Sequence, residues 1–180
     1  LEEVLHAELS ARLAMAMGGA VALEVDLDRL VRPPHGEAPL LRAAEVIVRT
    51  CCVGEALTLP LLKATRQRSD VAVVQVVMDA IARDESAHAQ LGTWFLDWAA
   101  EALTDPDRAA LGHVAGQAVR GFAPLFRGAC ASGGALGVLD CASYDRVFRR
   151  AMRTRVVAPL ARRGIVIDAR DLDFVMSAAT

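Results

Sequence analysis

The chain has 180 residues, 54% of them hydrophobic and 23% charged, with a formal net charge of −2. That balance supports one domain with a sizeable core and argues against a disordered chain. It lacks the basic excess of a nucleic-acid or membrane-surface binder, and its apolar runs, such as VAVVQVVM (71–78), fall short of the ~18 residues a membrane span needs.

In chain order, residues 2–17 place Val4, Leu5, Leu9, Leu13 and Met17 at the spacings of one helical face. Gly18 and Gly19 can interrupt this helix, and AVALEVDLDRL resumes it to about residue 31. RPPHGEAP (32–39) is a loop, and a second long helix is expected from Leu40 to about Gln67, kinked at Pro60. Ser69 or Asp70 is a good N-cap for a third helix reaching about Leu103. Its β-branched start (71–77) tempts a strand assignment, but the continuation is helical. TDPDR (104–108) opens a fourth helix over about 106–130, with Pro106 near its first position. A glycine-rich loop (128–137), a fifth helix over about 140–163 and a tail with an extended piece and a last helical turn complete an all-α bundle. Cys51, Cys52, Cys130 and Cys141 contain no Cys-x-x-Cys, which excludes a zinc ribbon or thioredoxin-type motif. They are read as buried free thiols of a reducing, cytoplasmic compartment.

Two phrases echo one another: EEVLHAELS from residue 2 and DESAHAQLG from residue 84. Each contains Glu-x-x-His, and residues three apart on a helix share a face, so both side chains can reach one metal ion. With nine glutamates and four histidines in 180 residues, about 0.2 such matches are expected by chance. Two are present, Glu3/His6 and Glu85/His88. A carboxylate-bridged two-metal site in a four-helix bundle also needs a Glu from each of the other two helices. Glu55 lies between the motifs in an apolar stretch, where a lone acid is costly unless paired, with Arg49 for example, or metal-bound. His35, in the proline-rich loop, and His113 are read as exposed and structural, Glu8 as a structural or surface acid, and Trp94 and Trp98 as core packing.

The order Glu3-x-x-His6, Glu55, Glu85-x-x-His88 resembles the ferritin-like di-iron carboxylate superfamily, whose helices carry Glu, Glu-x-x-His, Glu, Glu-x-x-His in turn. The last three elements match over roughly residues 1–100, and the first would lie on a helix upstream of Leu1, which would supply a sixth ligand. The resemblance implies a ferritin-like bundle over residues 1–103, with residues 104–180 as accessory C-terminal helices on the same domain. It implies two iron ions, or manganese or a mixed pair, held by Glu3, His6, Glu55, Glu85 and His88. Asp84, and less strongly Glu2, would hydrogen-bond the imidazoles and fix their tautomers, and Arg83 could pair with either acid.

Helix neighbours of the ligands suggest a pocket of Cys51, Cys52, Thr58, Leu59, Met78, Ile81 and Gly92. Thr58 could serve a bound oxygen species or bond back to a helix carbonyl. Rubrerythrin-type proteins would need a cysteine ribbon, and a radical-generating reductase subunit a tyrosine near the metals, whereas the single tyrosine is Tyr144. Storage ferritins lack so long an accessory region. The expected activity is therefore an O₂-dependent oxidoreductase, a hydroxylase, N-oxygenase or related oxidase. Its partners would be a small organic substrate, O₂ and an electron donor, with a homodimer allowed and no nucleic acid or membrane partner. The alternatives are a ferroxidase-type iron-binding protein without organic substrate and a metal-free helical interaction module.

Overall fold

The computed structural model describes residues 2–19, 33–122, 134 and 136–177, and every regular element among them is helical. Helix α1 spans Glu2–Ala16. Helix α2 (Pro39–Ile47) runs without a break through a π-helical segment, π1 (Val48–Glu55), into α3 (Ala56–Arg68). Helix α4 (Ala72–Trp98) is the longest, followed by α5 (Asp105–Gly121) and α6 (Cys141–Ala151). A second π segment, π2 (Met152–Val157), leads into the short α7 (Ala158–Ala161), and α8 (Ala169–Ser177) is the last described element. No helix among the described residues is long and apolar enough to cross a membrane.

The β-branched run at 71–77 is helical, with Val74 and Val77 buried. Its N-cap is Val71, with neither Ser69 nor Asp70 in that role. Ser69 instead turns the chain, its Oγ accepting from Val71 N at 3.2 Å while its carbonyl accepts from Gln75 Nε2 at 2.6 Å. At the next junction the local signal is followed closely. Thr104 caps α5 and exchanges hydrogen bonds with Asp107 in a capping box, with Pro106 in the first turn.

Pro60 does not break its helix. Proline lacks an N–H and its ring crowds the carbonyl four residues back, here Ala56. The wide turn of π1 ends at Glu55, just before that residue, so the irregularity falls one turn before the proline. Pro159 repeats the arrangement: the carbonyl four residues back belongs to Arg155, inside π2. The expected continuation of the first helix to residue 31 and of the fourth to residue 130 lies largely outside the described residues.

One hydrophobic core takes residues from both halves of the chain, from Ala44, Val48 and Leu57 through Leu96, Leu111 and Val119 to Phe148, Ile165 and Val175. α4 lies along α3 and π1, α6 packs on α3, and α8 on α5. α6 shows how periodicity reaches the core: Tyr144, Phe148 and Ala151 fall on one face and are buried, and Phe148 also meets Phe122.

Three expectations are corrected. On α1, Val4 and Met15 are 71% and 64% exposed, Leu5 and Met17 are exposed as well, and His6 is the buried residue. Beside it only Leu9, Leu13 and Ala14 are partly buried, not the whole apolar stripe. Trp94 and Trp98 are 62% and 73% exposed rather than core, because they sit on the face of α4 turned away from Glu85. Cys141 is exposed and disulfide-bonded, whereas Cys51 and Cys52 are free, and Cys130 lies outside the described residues. The cysteine content therefore carries no argument for a reducing compartment.

The C-terminal helix docks by a close approach. Asp171 is buried, bonded to Arg120 at 3.0 Å, and seated against Gly116 of α5. A Cβ at residue 116 would overlap the Asp171 carboxylate. Gly116→Ala is expected to lower the stability by about 1–3 kcal/mol, the usual cost of overpacking. The measurement is urea unfolding, and an unchanged midpoint would contradict this packing.

Candidate metal centre

α1 and α4 meet where the two echoed phrases lie, and the phrases exchange contacts. Glu85 places Oε1 2.9 Å from His6 Nδ1 and Oε2 2.9 Å from His88 Nδ1. Glu3 does the same more loosely, with Oε2 3.7 Å from His6 Nδ1 and Oε1 3.3 Å from His88 Nδ1. The far nitrogens are exchanged as well: His6 Nε2 lies 3.1 Å from Asp84, and His88 Nε2 3.0 Å from Glu2. Each acid that precedes a motif glutamate thus holds the imidazole of the other helix. The two halves are related by an approximate two-fold exchange of α1 and α4.

Glu55, the last residue of π1, joins from a third side. One donor atom each from Glu3, Glu55, Glu85 and His88 fall within 4.8 Å of one another. The Glu55 carboxylate therefore turns into the cluster. His6 completes the group through Glu85 and is only 7% exposed. Its Nδ1 is buried without a hydrogen bond of acceptable geometry among the described residues, although a carboxylate oxygen is 2.9 Å away. An imidazole whose Nε2–H is held by an acid presents Nδ1 as a lone pair. A lone pair facing carboxylates is repelled unless a proton or another cation lies between them. Three carboxylates and one imidazole thus face one another, with the second imidazole held beside Glu85, a donor set able to hold a metal ion.

Protonation tells the same story. Burial, then the hydrogen bond and charge of Glu85 and the charge of Glu3, push the Glu55 carboxyl up to about 8. The hydrogen bond to Glu85 raises His88, helped by Glu2. Without an ion, protons keep these acids together.

Of the seven expected pocket residues, three lie along cavities beside the cluster. Leu59 lines a cleft of about 490 Å³, and Cys51 and Cys52 line a narrow crevice that shares Ala56, Ala89 and Thr93 with it. Thr58, Met78, Ile81 and Gly92 line neither. Ile81 is buried one turn before Glu85, and Thr58 and Met78 are half-buried. Burial pushes the Cys52 thiol up to about 12, with Cys51 adding to the shift, and burial raises Cys51 too. Neither thiol is therefore an ionised ligand at neutral pH.

Gly92 has a different part. A Cβ there would lie 2.7 Å from Cys52 Sγ and 3.0 Å from Cys51 Cβ, so its absence lets π1 approach α4 and bring Glu55 to Glu85.

Elsewhere, Glu8 pairs with Arg12 at 2.7 Å, Arg83 is exposed with no partner among the described residues, and exposed His113 bonds Gln117. His35 is exposed, and its backbone N–H donates to Glu45 at 2.7 Å. Buried Glu45 was missed in the sequence; its position on the inward face of α2, beside Ala44 and Val48, was the available signal. No protein-family model, curated protein or solved structure matches this chain.

Two expectations follow. Glu55 and His88 hold protons more tightly when folded than unfolded, so they favour the fold at low pH and lose that contribution as pH rises through their folded values. Asp97, Asp107 and Asp140, held low by Arg163, Thr104 and Ser143, act only below this window. The melting temperature of ion-free protein should therefore fall from about pH 5 to about pH 8, and Glu55→Gln should flatten that slope. A rising profile would contradict the assignment. Second, Gly92→Ala should cost about 1–3 kcal/mol in urea unfolding. Cys52→Ala, which removes the nearest atom, should recover part of that loss, and no recovery would place the strain elsewhere.

Proposed function

We propose that Glu3, His6, Glu55, Glu85 and His88 hold two iron ions in a ferritin-like arrangement, and that the chain is an O₂-dependent oxidoreductase acting on a small organic substrate. The observation that carries this reading is the double exchange at Glu85 and Glu3, each of which directs one oxygen toward each imidazole. A carboxylate that bridges two ions needs that disposition, and a surface ion pair does not. Bound iron would supply the electrons that reduce O₂.

The chain's own residues prepare the site. Asp84 and Glu2 hold the Nε2 side of the imidazoles, which keeps both Nδ1 atoms turned to the acids. Glu55 carries a proton near neutral pH and gives it up when a cation takes its place. Its carboxylate lies with the His88 half, while His6 has no counterpart to Glu55 among the described residues. The two ion positions are therefore unequal, and the His88 position should fill first. The cleft beside the cluster favours oxidation of an organic molecule over oxidation of iron alone.

The test is anaerobic titration of the ion-free full chain with Fe(II), followed by metal analysis and limited proteolysis. Two ions per chain are expected, the first more tightly bound. Asp84→Ala should weaken binding by about 10–100-fold, as loss of a supporting acid does, and Glu85→Ala should abolish it. Because α1 buries only His6, iron should also slow cleavage within α1. Two ions retained in the Glu85→Ala variant, or none in the wild type, would sink the reading. The same titration with Mn(II) decides between the metals.

A further inference from the structure

The cleft beside the cluster has a chemical character of its own. Ala56, Ser86 and Ala89 line it, and each directly follows a cluster residue: Glu55, Glu85 and His88. Leu59 and Pro159 extend its apolar lining, and exposed Trp94 forms a flat flank. Lys63 of α3 and Arg155 of π2 both line it, and neither has a hydrogen bond or ion pair among the described residues. The larger groove of about 980 Å³ at the C-terminal end of α4 differs, because Asp97, Asp105 and Asp168 line it together with its arginines. There Arg163 is occupied by Asp97, and Arg108 by the carbonyls of Arg163 and Ala100.

We propose that this cleft binds an organic carboxylate, with its acid group on Lys63 and Arg155 and its apolar body along Ala56 and Ala89. Two cations without partners are favourable neighbours for an anion, and Arg can take both carboxylate oxygens at once. A volume of about 490 Å³ lies within the roughly 300–1,000 Å³ of small-molecule sites. As a substrate assignment the proposal rests on the oxidoreductase reading above; as a binding site it does not.

The experiment uses ion-free full chain, so that binding is read apart from iron. The probes are 3-phenylpropionate and octanoate, each against its uncharged amide, followed by calorimetry and by Trp94 fluorescence in a Trp98→Phe background. Each acid should bind about tenfold more tightly than its amide, the gain of one charge-assisted contact. Lys63→Gln with Arg155→Gln should erase that preference; both side chains are exposed, and circular dichroism checks the fold. Ala89→Leu should block acid and amide alike. Equal binding of acid and amide, an unchanged preference in the double variant, or no binding of either acid would overturn the proposal. Acid binding without iron binding would leave a carboxylate-binding protein and remove the oxidase reading. Iron binding without acid binding would do the reverse.

Discussion

Glu85 sets one carboxylate oxygen 2.9 Å from each of two imidazoles, and that contact decides how α1 sits on the rest of the chain. α1 contributes little apolar burial, so its place is fixed by polar exchange with α4 and not by the core. Such a joint is only as strong as the charge balance within it. Buried carboxylates repel one another unless protons or cations intervene, and the raised values of Glu55 and His88 record that requirement.

The rest of the fold supplies the rigidity this joint lacks. α3, α4, α5 and α6 share one core, and Gly92 lets π1 come close enough for Glu55 to reach the cluster. Where a proline would have broken the long rod at residue 60, the wide turn of π1 accommodates it and carries Glu55 at its end. A π segment beside a polar cluster is a common place for function, since it re-aims side chains within an otherwise regular helix. The second π segment brings Arg155 to the cleft lined by Ala56, Ser86 and Ala89.

Much of the helical architecture was legible because amphipathic periodicity is local. The Cys141–Ala151 face, the Thr104 capping box and the helical reading of residues 71–77 all follow from near neighbours. The errors have a common origin. Val4, Leu5 and Met17 share a helical face yet stay exposed, as do the tryptophans expected in the core, because hydrophobicity says what can be buried, not whether a partner lies opposite. Ser69 and Asp70 looked like caps in isolation, yet Ser69 serves a turn and Val71 begins the helix.

Spacing along the chain singled out Glu3, His6, Glu85 and His88, since Glu-x-x-His puts two side chains on one helical face wherever it occurs, and an apolar setting singled out Glu55. Asp84 and Glu2 came only with the family resemblance. Only the tertiary structure decided that each acid holds the histidine of the other helix, that Glu45 is buried, and that Lys63 and Arg155 share a cleft with Ala56, Ser86 and Ala89. Helical periodicity is set within a few residues, but contacts between helices depend on how closely and in what register they pack. Here that is governed by one glycine and one widened turn.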